Sequence, residues 1–221
     1  MLILIEMLEN ADIEVVSSNT DGITAFMPRS NYLQFKAIIQ EWENITNFKL
    51  EETLYKALYN ESVNSYVAIK EDKTLKLKGP FVKSSLTNNA HVKVCNQAVI
   101  EYLIKGIPVE ETIKRAEKTQ ENFTMFIKVA NGGIWKGQYL GRVVRWYWSV
   151  DGEPIYRQSN IVELKKNGTP KKDVKVANSD GACPLMDLSE PMVNLDISKY
   201  IAECYKMLKQ MGLDIKQEKV A

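Results

Sequence analysis

The sequence predicts an α+β fold, and three observations support that prediction. Apolar residues recur at helical spacing in segments such as 2–8, 32–42 and 94–104. Between these segments lie short runs rich in β-branched and aromatic residues, bounded by Gly, Asn and Asp, as expected of strands joined by tight turns. With 221 residues, the chain is long enough to bury a core as one large domain or as two small ones.

The composition excludes several classes of protein. Lys and Arg total 29 against 28 Asp and Glu, a net charge of +1, so any affinity for DNA must come from a local basic patch. Cys95, Cys183 and Cys204 are odd in number and far apart, which fits neither a disulfide framework nor a CxxC metal site. We therefore expect reduced cysteines and a cytoplasmic protein.

The first ten residues, MLILIEMLEN, predict a helix that ends near Asn10, with Leu2, Ile5 and Leu8 at helical spacing. The run lacks a basic start and is far shorter than the ~20 apolar residues that span a membrane, so we expect neither a signal peptide nor a membrane anchor. No Ser, Thr, Asp or Asn caps the helix, which suggests that the natural chain continues upstream of Met1.

Residues 13–26, IEVVSSNTDGITAF, predict a β-hairpin. Two short apolar runs flank the polar tip 17–22, which carries one carboxylate, Asp21. A short acidic side chain on a rigid turn holds its oxygens in a fixed position, as a Mg²⁺ ligand requires. The alternative is a turn Asp that hydrogen-bonds its own backbone, a common role in Asp-Gly turns.

After a turn with a capping residue at 28–31, residues 32–42 predict a helix that covers the hairpin sheet. Short strands are then expected in 48–59, 62–72 and 73–81, with Asn64, Tyr66 and Ala68 sharing one face of the middle strand. Lys76 and Lys78 share a face of the last strand, and Lys83 follows them. These lysines either track a phosphate backbone or form a solvated or protected sheet edge.

Residues 84–90 form a polar linker, so we place a domain boundary there and predict domains 1–85 and 86–221. The second domain should begin with a helix over 91–105, stopped by Gly106. The apolar stripe of this helix is expected at Val94, Ala98, Ile100, Leu103 and Ile104. A short helix should follow from Pro108 to about Lys118. His91 has no Cys or His at ligand spacing and is interpreted as a helix-start or surface residue.

In the remainder of the chain, 123–129 predicts a strand, Gly132 and Gly133 a turn, and 142–157 an alternating strand with a hairpin turn at 151–152. Val144, Trp146, Trp148 and Val150 would form its core face; alternatively, the aromatic residues beside Arg142 and Arg145 would stack on bases. A loop is expected over 180–191 and a closing helix over 197–211.

A basic loop runs over 165–172. Its lysines would either be solvated or grip the backbone of duplex DNA. They are Lys165, Lys166, Lys171 and Lys172.

The tip sequence Asn19-Thr20-Asp21-Gly22 resembles the palm motif of family B DNA polymerases, usually Asp-Thr-Asp-Ser, whose second Asp binds the catalytic metals. That residue falls on Asp21, while Asn19 and Gly22 depart from the motif. Tyr66 and the pair Lys78-Gly79 are similar to the family's Lys-Lys-Arg-Tyr primer-gripping motif and the strand that follows it. The basic residues before the Tyr are replaced by Val63-Asn64-Ser65, and Asn can donate only neutral hydrogen bonds to phosphate.

The resemblance is specific over about the first 115 residues and implies the C-terminal portion of a bacteriophage-type family B DNA-directed DNA polymerase. It implies a partial palm followed by a thumb, and DNA replication by attack of a primer 3′-hydroxyl on a dNTP, with two Mg²⁺ ions as cofactors. Thr20 and Asp21 would be the catalytic motif residues, with Asp21 the metal ligand. The positions expected to contact primer DNA are Asn64, Tyr66, Lys76, Lys78, Gly79 and Lys83.

The partners implied are primer-template DNA, dNTP and a missing N-terminal polymerase half, in the cytoplasm of a phage-infected or prophage-bearing bacterium. Two metals need at least two carboxylates, and in this family the second lies upstream, so we expect the chain alone not to polymerise. Asp12 and Glu14 sit at the start of the first strand, too far from the tip to replace it. The competing hypotheses are a non-catalytic DNA-binding accessory module and an unrelated α+β protein.

Overall fold

A computed structural model describes residues 1–82, 92–158 and 173–215. It confirms an α+β fold built from helices and antiparallel sheets. The chain divides into two compact units, Met1–Lys76 and Leu77–Ala221. The predicted boundary near residue 85 lies outside the described residues. None of the described helices has the length and apolarity needed to cross a bilayer.

The first unit begins with a helix, a hairpin and a second helix. These are α1 (Leu2–Glu9), β1 (Glu14–Ser18), β2 (Ile23–Phe26) and α2 (Tyr32–Thr46). Leu4, Leu8, Ile13 and Trp42 form one buried cluster, against which inward residues of the hairpin pack. Burial of each such side chain contributes about 1.5–3 kcal/mol. The prediction that α2 covers the hairpin is confirmed, because Trp42 of α2 shares this core with Ile13.

A separate three-stranded sheet follows, in the order β3 (Tyr55–Ser62), β4 (Ser65–Lys70) and β5 (Leu75–Lys78). The prediction of one strand over 62–72 is wrong at its start: Ser62 pairs with Ser65, so Val63 and Asn64 form the turn between β3 and β4. Asn64 therefore does not share a strand face with Tyr66. The predicted strand over 48–59 is also wrong in part, because β3 begins only at Tyr55.

The second unit contains three helices: α3 (Lys93–Lys105), α4 (Val109–Ala116) and α5 (Ile197–Gln210). The predicted ends are confirmed, with Gly106 in a left-handed conformation after α3 and Pro108 as the N-cap of α4. The predicted apolar stripe of α3 is partly wrong. Cys95 and Val99 are buried beside Val94 and Ala98, whereas Ile104 is exposed.

A four-stranded sheet, in the order β8-β6-β7-β9, completes the second unit. Its strands are β6 (Met125–Trp135), β7 (Gln138–Trp148), β8 (Tyr156–Arg157) and β9 (Ala182–Pro184). The predicted turn at Gly132 and Gly133 is wrong, because β6 runs through both glycines and turns at Lys136 and Gly137 instead. A Cβ on Gly133 would lie 2.7 Å from Val144 Cγ2, so packing selects glycine here.

The predicted hairpin at 151–152 is also corrected. A turn forms there, but β8 pairs with β6 and β7 pairs with β9. β9 is a short strand within the segment expected to be a loop. Val144, Trp146 and Trp148 are buried as predicted, whereas Val150 is 71 % exposed in the turn.

Candidate nucleic-acid and metal-binding site

The hairpin tip is a four-residue turn held by two hydrogen bonds. The Asn19 N–H donates to the Gly22 carbonyl oxygen at 2.9 Å, which closes the turn. The Asp21 N–H donates to Asn19 Oδ1, also at 2.9 Å, which is an Asx turn. The side chain that folds back on the backbone is therefore that of Asn19, and Asp21 remains exposed at the tip.

The neighbours of Asp21 are compatible with the motif that the tip resembles. Thr20 is exposed beside Asp21. Gly22 has an ordinary negative or extended φ, and a Cβ added there would find Asn19 Oδ1 at 3.8 Å, a normal van der Waals contact. The turn thus requires no glycine at this position, and the family's Ser would fit.

A Mg²⁺ ion is bound in proteins by one or two carboxylates together with substrate phosphates and water. The exposed Asp21 carboxylate fits the role of one such ligand. Across residues 1–82, 92–158 and 173–215, no group of three or more His, Cys, Asp or Glu side chains gathers as a metal site would. Glu14 pairs with Phe26 at the opposite end of the ribbon from the tip, in agreement with the sequence prediction.

Lys76 and Tyr66, two of the predicted primer-contacting residues, lie close together on the three-stranded sheet. Lys76 Nζ donates a hydrogen bond to the Tyr55 hydroxyl at 3.2 Å. The Tyr55 hydroxyl, with a smaller contribution from Tyr66, raises the pKa of Lys76. The sequence did not single out Tyr55, because the strand was expected to span residues 48–59, with Tyr55 inside it and not at its start.

The other predicted primer-contacting residues are more dispersed. Asn64 lies in the exposed β3–β4 turn. Lys78 ends β5 exposed, and Gly79 follows with a left-handed φ of 69°. Lys78 and Gly79 belong to the second unit, whereas Tyr66 and Lys76 belong to the first. Lys83 lies outside the described residues.

The four lysines of the basic loop and His91 also fall outside the described residues. Lys175, just after that loop, is paired with Asp180 at 2.6 Å. The indole N–H groups of Trp146 and Trp148 both donate to the Asn178 carbonyl, at 3.2 and 2.8 Å. These two tryptophans are buried, so they are core residues and cannot stack on bases. Arg145 donates to the Met186 carbonyl oxygen at 3.3 Å.

The three cysteines are free, in agreement with the prediction of reduced thiols. Cys95 and Cys204 are buried between α3 and α5, and burial raises the pKa of the Cys95 thiol well above its usual value. A protonated, inaccessible thiol is a poor nucleophile and a poor metal ligand. We assign Cys95 a packing role.

Comparison with known proteins finds similarity in fold to solved structures. No protein-family model and no curated protein sequence matches the chain. Among solved structures, it is similar to the family B DNA polymerase of the hyperthermophilic archaeon Pyrobaculum calidifontis, with a TM-score of 0.51 and 10% identity. The match covers 99% of this chain but only 29% of the polymerase. The fold of this chain is thus similar to that of part of the polymerase, and the bacteriophage type receives no support.

Proposed function

We propose that this chain is part of a family B DNA-directed DNA polymerase, a nucleotidyltransferase of DNA replication. The observation that carries the proposal is the exposed Asp21 at the tip of a hairpin backed by two helices, at the place where the sequence resembles the polymerase metal-binding motif. The similarity of almost the whole chain to part of a solved family B polymerase supports the same conclusion.

In this proposal the first unit is part of a palm and the second unit contains the thumb. Asp21 holds one side of a two-Mg²⁺ site, with Thr20 beside it. When bound, the metals supply charge stabilisation for the entering and leaving oxygens of dNMP transfer. Lys76 and Tyr66 contact the primer strand, because an exposed cation with a phenol close to it on the same sheet suits the phosphate backbone. The proposal includes the bacteriophage type of the polymerase.

The complete activity is proposed for an assembly and not for this chain alone. The chain spans 29% of the length of the archaeal polymerase that it resembles. A further polypeptide segment, in the same or a separate chain, would supply the second carboxylate and the contacts to the dNTP. We therefore expect primer extension only when that segment is present.

The test uses the full 221-residue chain with Mn²⁺ as a paramagnetic substitute for Mg²⁺. Binding to a fluorescent primer-template is measured against salt, and NMR line broadening by Mn²⁺ is then measured in the presence of primer-template and a dNTP. We expect salt-dependent DNA binding and selective broadening of residues 19–22. Asp21→Asn should remove the broadening and leave DNA affinity within about twofold, since a single ligand carboxylate contributes no attraction to phosphate.

Asp12→Asn is the matched control. Asp12 lies before β1 with a left-handed φ of 56°, which Asn tolerates as well as Asp, so this variant should keep both signals. If the broadening survives Asp21→Asn, Asp21 is not the metal ligand. DNA binding without any Mn²⁺ effect at the tip would favour the accessory-module hypothesis, and no DNA binding at all would favour an unrelated α+β protein.

A further inference from the structure

Lys76 makes its contact across the width of the three-stranded sheet. Tyr55 opens β3 and Lys76 lies in β5, with β4 between them. The two backbones are therefore about two strand spacings, roughly 10 Å, apart. Because Nζ reaches the Tyr55 hydroxyl at 3.2 Å, the Lys76 side chain lies along the sheet face and does not extend freely into solvent.

The contact involves the hydroxyl group and not the face of the ring. Lys76 Nζ is 5.9 Å from the centre of the Tyr55 ring but only 3.2 Å from its oxygen, so the ammonium lies beyond the hydroxyl end. A cation over an aromatic face would be closer to the centre than to the substituent. The hydroxyl oxygen is therefore the atom of Tyr55 that orders Lys76, and removing it should loosen the lysine, to which Tyr66 contributes less.

A lysine held in this way is suited to bind phosphate. The ammonium has three N–H donors, and Tyr55 uses one of them. Donor capacity and the full charge remain for an anion, because the Lys76 side chain is exposed. A free lysine loses up to ~2 kcal/mol of rotamer entropy on being fixed, so ordering it beforehand favours binding.

We propose that Tyr55 is a positioning residue that holds the Lys76 ammonium ready for a backbone phosphate of the primer strand. This inference rests on the proposed function and adds to it a residue outside the motifs that the sequence resembles. Tyr55 acts through Lys76 and does not itself touch the DNA. The contact to the phosphate is electrostatic and independent of base sequence.

The experiment compares Tyr55→Phe, Lys76→Ala and the double variant in the full chain, by primer-template binding over a salt series. Lys76→Ala should weaken binding and reduce the slope of log affinity against log salt by about 1, because one phosphate contact is lost. Tyr55→Phe should weaken binding about threefold to fivefold with the slope unchanged, because the charge remains but is no longer ordered. The double variant should be no weaker than Lys76→Ala.

Tyr59→Phe, on the same strand opposite Val67, is the matched control and should not change binding. A readout in the free chain tests the contact itself: the NMR titration of ¹³Cε-labelled Lys76 should show a lower pKa in Tyr55→Phe than in the unchanged chain. An unchanged Lys76 titration, or a further loss of affinity from Tyr55→Phe in the Lys76→Ala background, would overturn the positioning role alone. Failure of the unchanged chain to bind DNA would instead overturn the proposed function and this inference with it.

Discussion

At the tip of the first hairpin, Asn19 determines how Asp21 is presented. Its amide oxygen accepts the Asp21 N–H, and its own N–H closes the turn onto Gly22. The sequence allowed the exposed carboxylate to be predicted, because a polar tip between apolar runs has few other conformations. The sequence did not show whether Asp21 or Asn19 would form the Asx turn, because both side chains can do so.

Asn19→Ala should therefore loosen the tip, whereas Asn19→Asp should keep it, since a carboxylate accepts the same hydrogen bond. We expect Asn19→Ala to cost about 1 kcal/mol in local opening, the usual net contribution of such a bond. The measurement is amide hydrogen exchange at Asp21, which should become about fivefold faster. Asn64→Ala, in the exposed β3–β4 turn, is the control and should leave this rate unchanged. Equal exchange in Asn19→Ala would show that the backbone bond to Gly22 suffices.

At the scale of elements, the sequence predicts correctly those features that depend on residues close together in the chain. The helices α1 to α5 and the first hairpin follow from apolar periodicity and turn residues, which act within a few positions of the chain. The predictions are wrong where the local structure depends on a residue or strand that is distant in the sequence. The sequence around Gly133 predicts a turn, but the structure requires glycine there because Val144 packs closely against it. No pattern near β8 indicates that it pairs with β6 and not with β7.

Gly152 tests whether a distant residue can require glycine. Its φ is not left-handed, so its local conformation does not require glycine, but the backbone of Gly181 lies very close to it. A Cβ there would lie 2.0 Å from the Gly181 carbonyl oxygen, which cannot move without displacing β9. We expect Gly152→Ala to lower the free energy of unfolding by about 3 kcal/mol, the upper range for an overpacked site. Denaturant unfolding followed by tryptophan fluorescence would measure this.

The control for that substitution is Gly137→Ala, in the β6–β7 turn. Gly137 has a φ of 80°, but a Cβ there meets nothing within 4 Å. It should cost only the backbone strain of about 1–2 kcal/mol. If Gly152→Ala were the milder of the two, the close approach of residue 181 would not be what selects glycine at 152.

At the scale of the whole molecule, the second unit depends on contacts that no short window of sequence contains. The Tyr200 hydroxyl of α5 donates to the Phe123 carbonyl oxygen at 2.9 Å and accepts the Trp148 N–H at 2.8 Å. Its ring also packs edge-on against that of Phe123. The sequence predicted an amphipathic closing helix, yet the partners of that helix lie 77 and 52 residues away.

Two buried tyrosines make this unit less stable at alkaline pH. Burial raises the pKa of Tyr147 to about 12 and raises that of Tyr200 further. Below pH 10, the usual tyrosine value, both residues are neutral in the folded and unfolded states. Above it the unfolded chain releases protons that the folded chain retains, so stability falls as pH rises, and for Tyr147 the fall ends near pH 12.

Each tyrosine contributes a loss of up to about 1.4 kcal/mol per pH unit in this window. Tyr147→Phe should lower stability at neutral pH, because the hydroxyl accepts the Val193 N–H at 2.8 Å and donates to the Val193 carbonyl oxygen at 3.0 Å. Between pH 10 and 11, however, the free energy of unfolding of Tyr147→Phe should fall less steeply with pH than that of the unchanged chain. Urea unfolding at several pH values, followed by tryptophan fluorescence, measures both effects. Tyr139→Phe, at an exposed position of β7, should leave the slope as it is. If Tyr147→Phe kept the full slope, retention of the Tyr147 proton would not be a source of the alkaline instability.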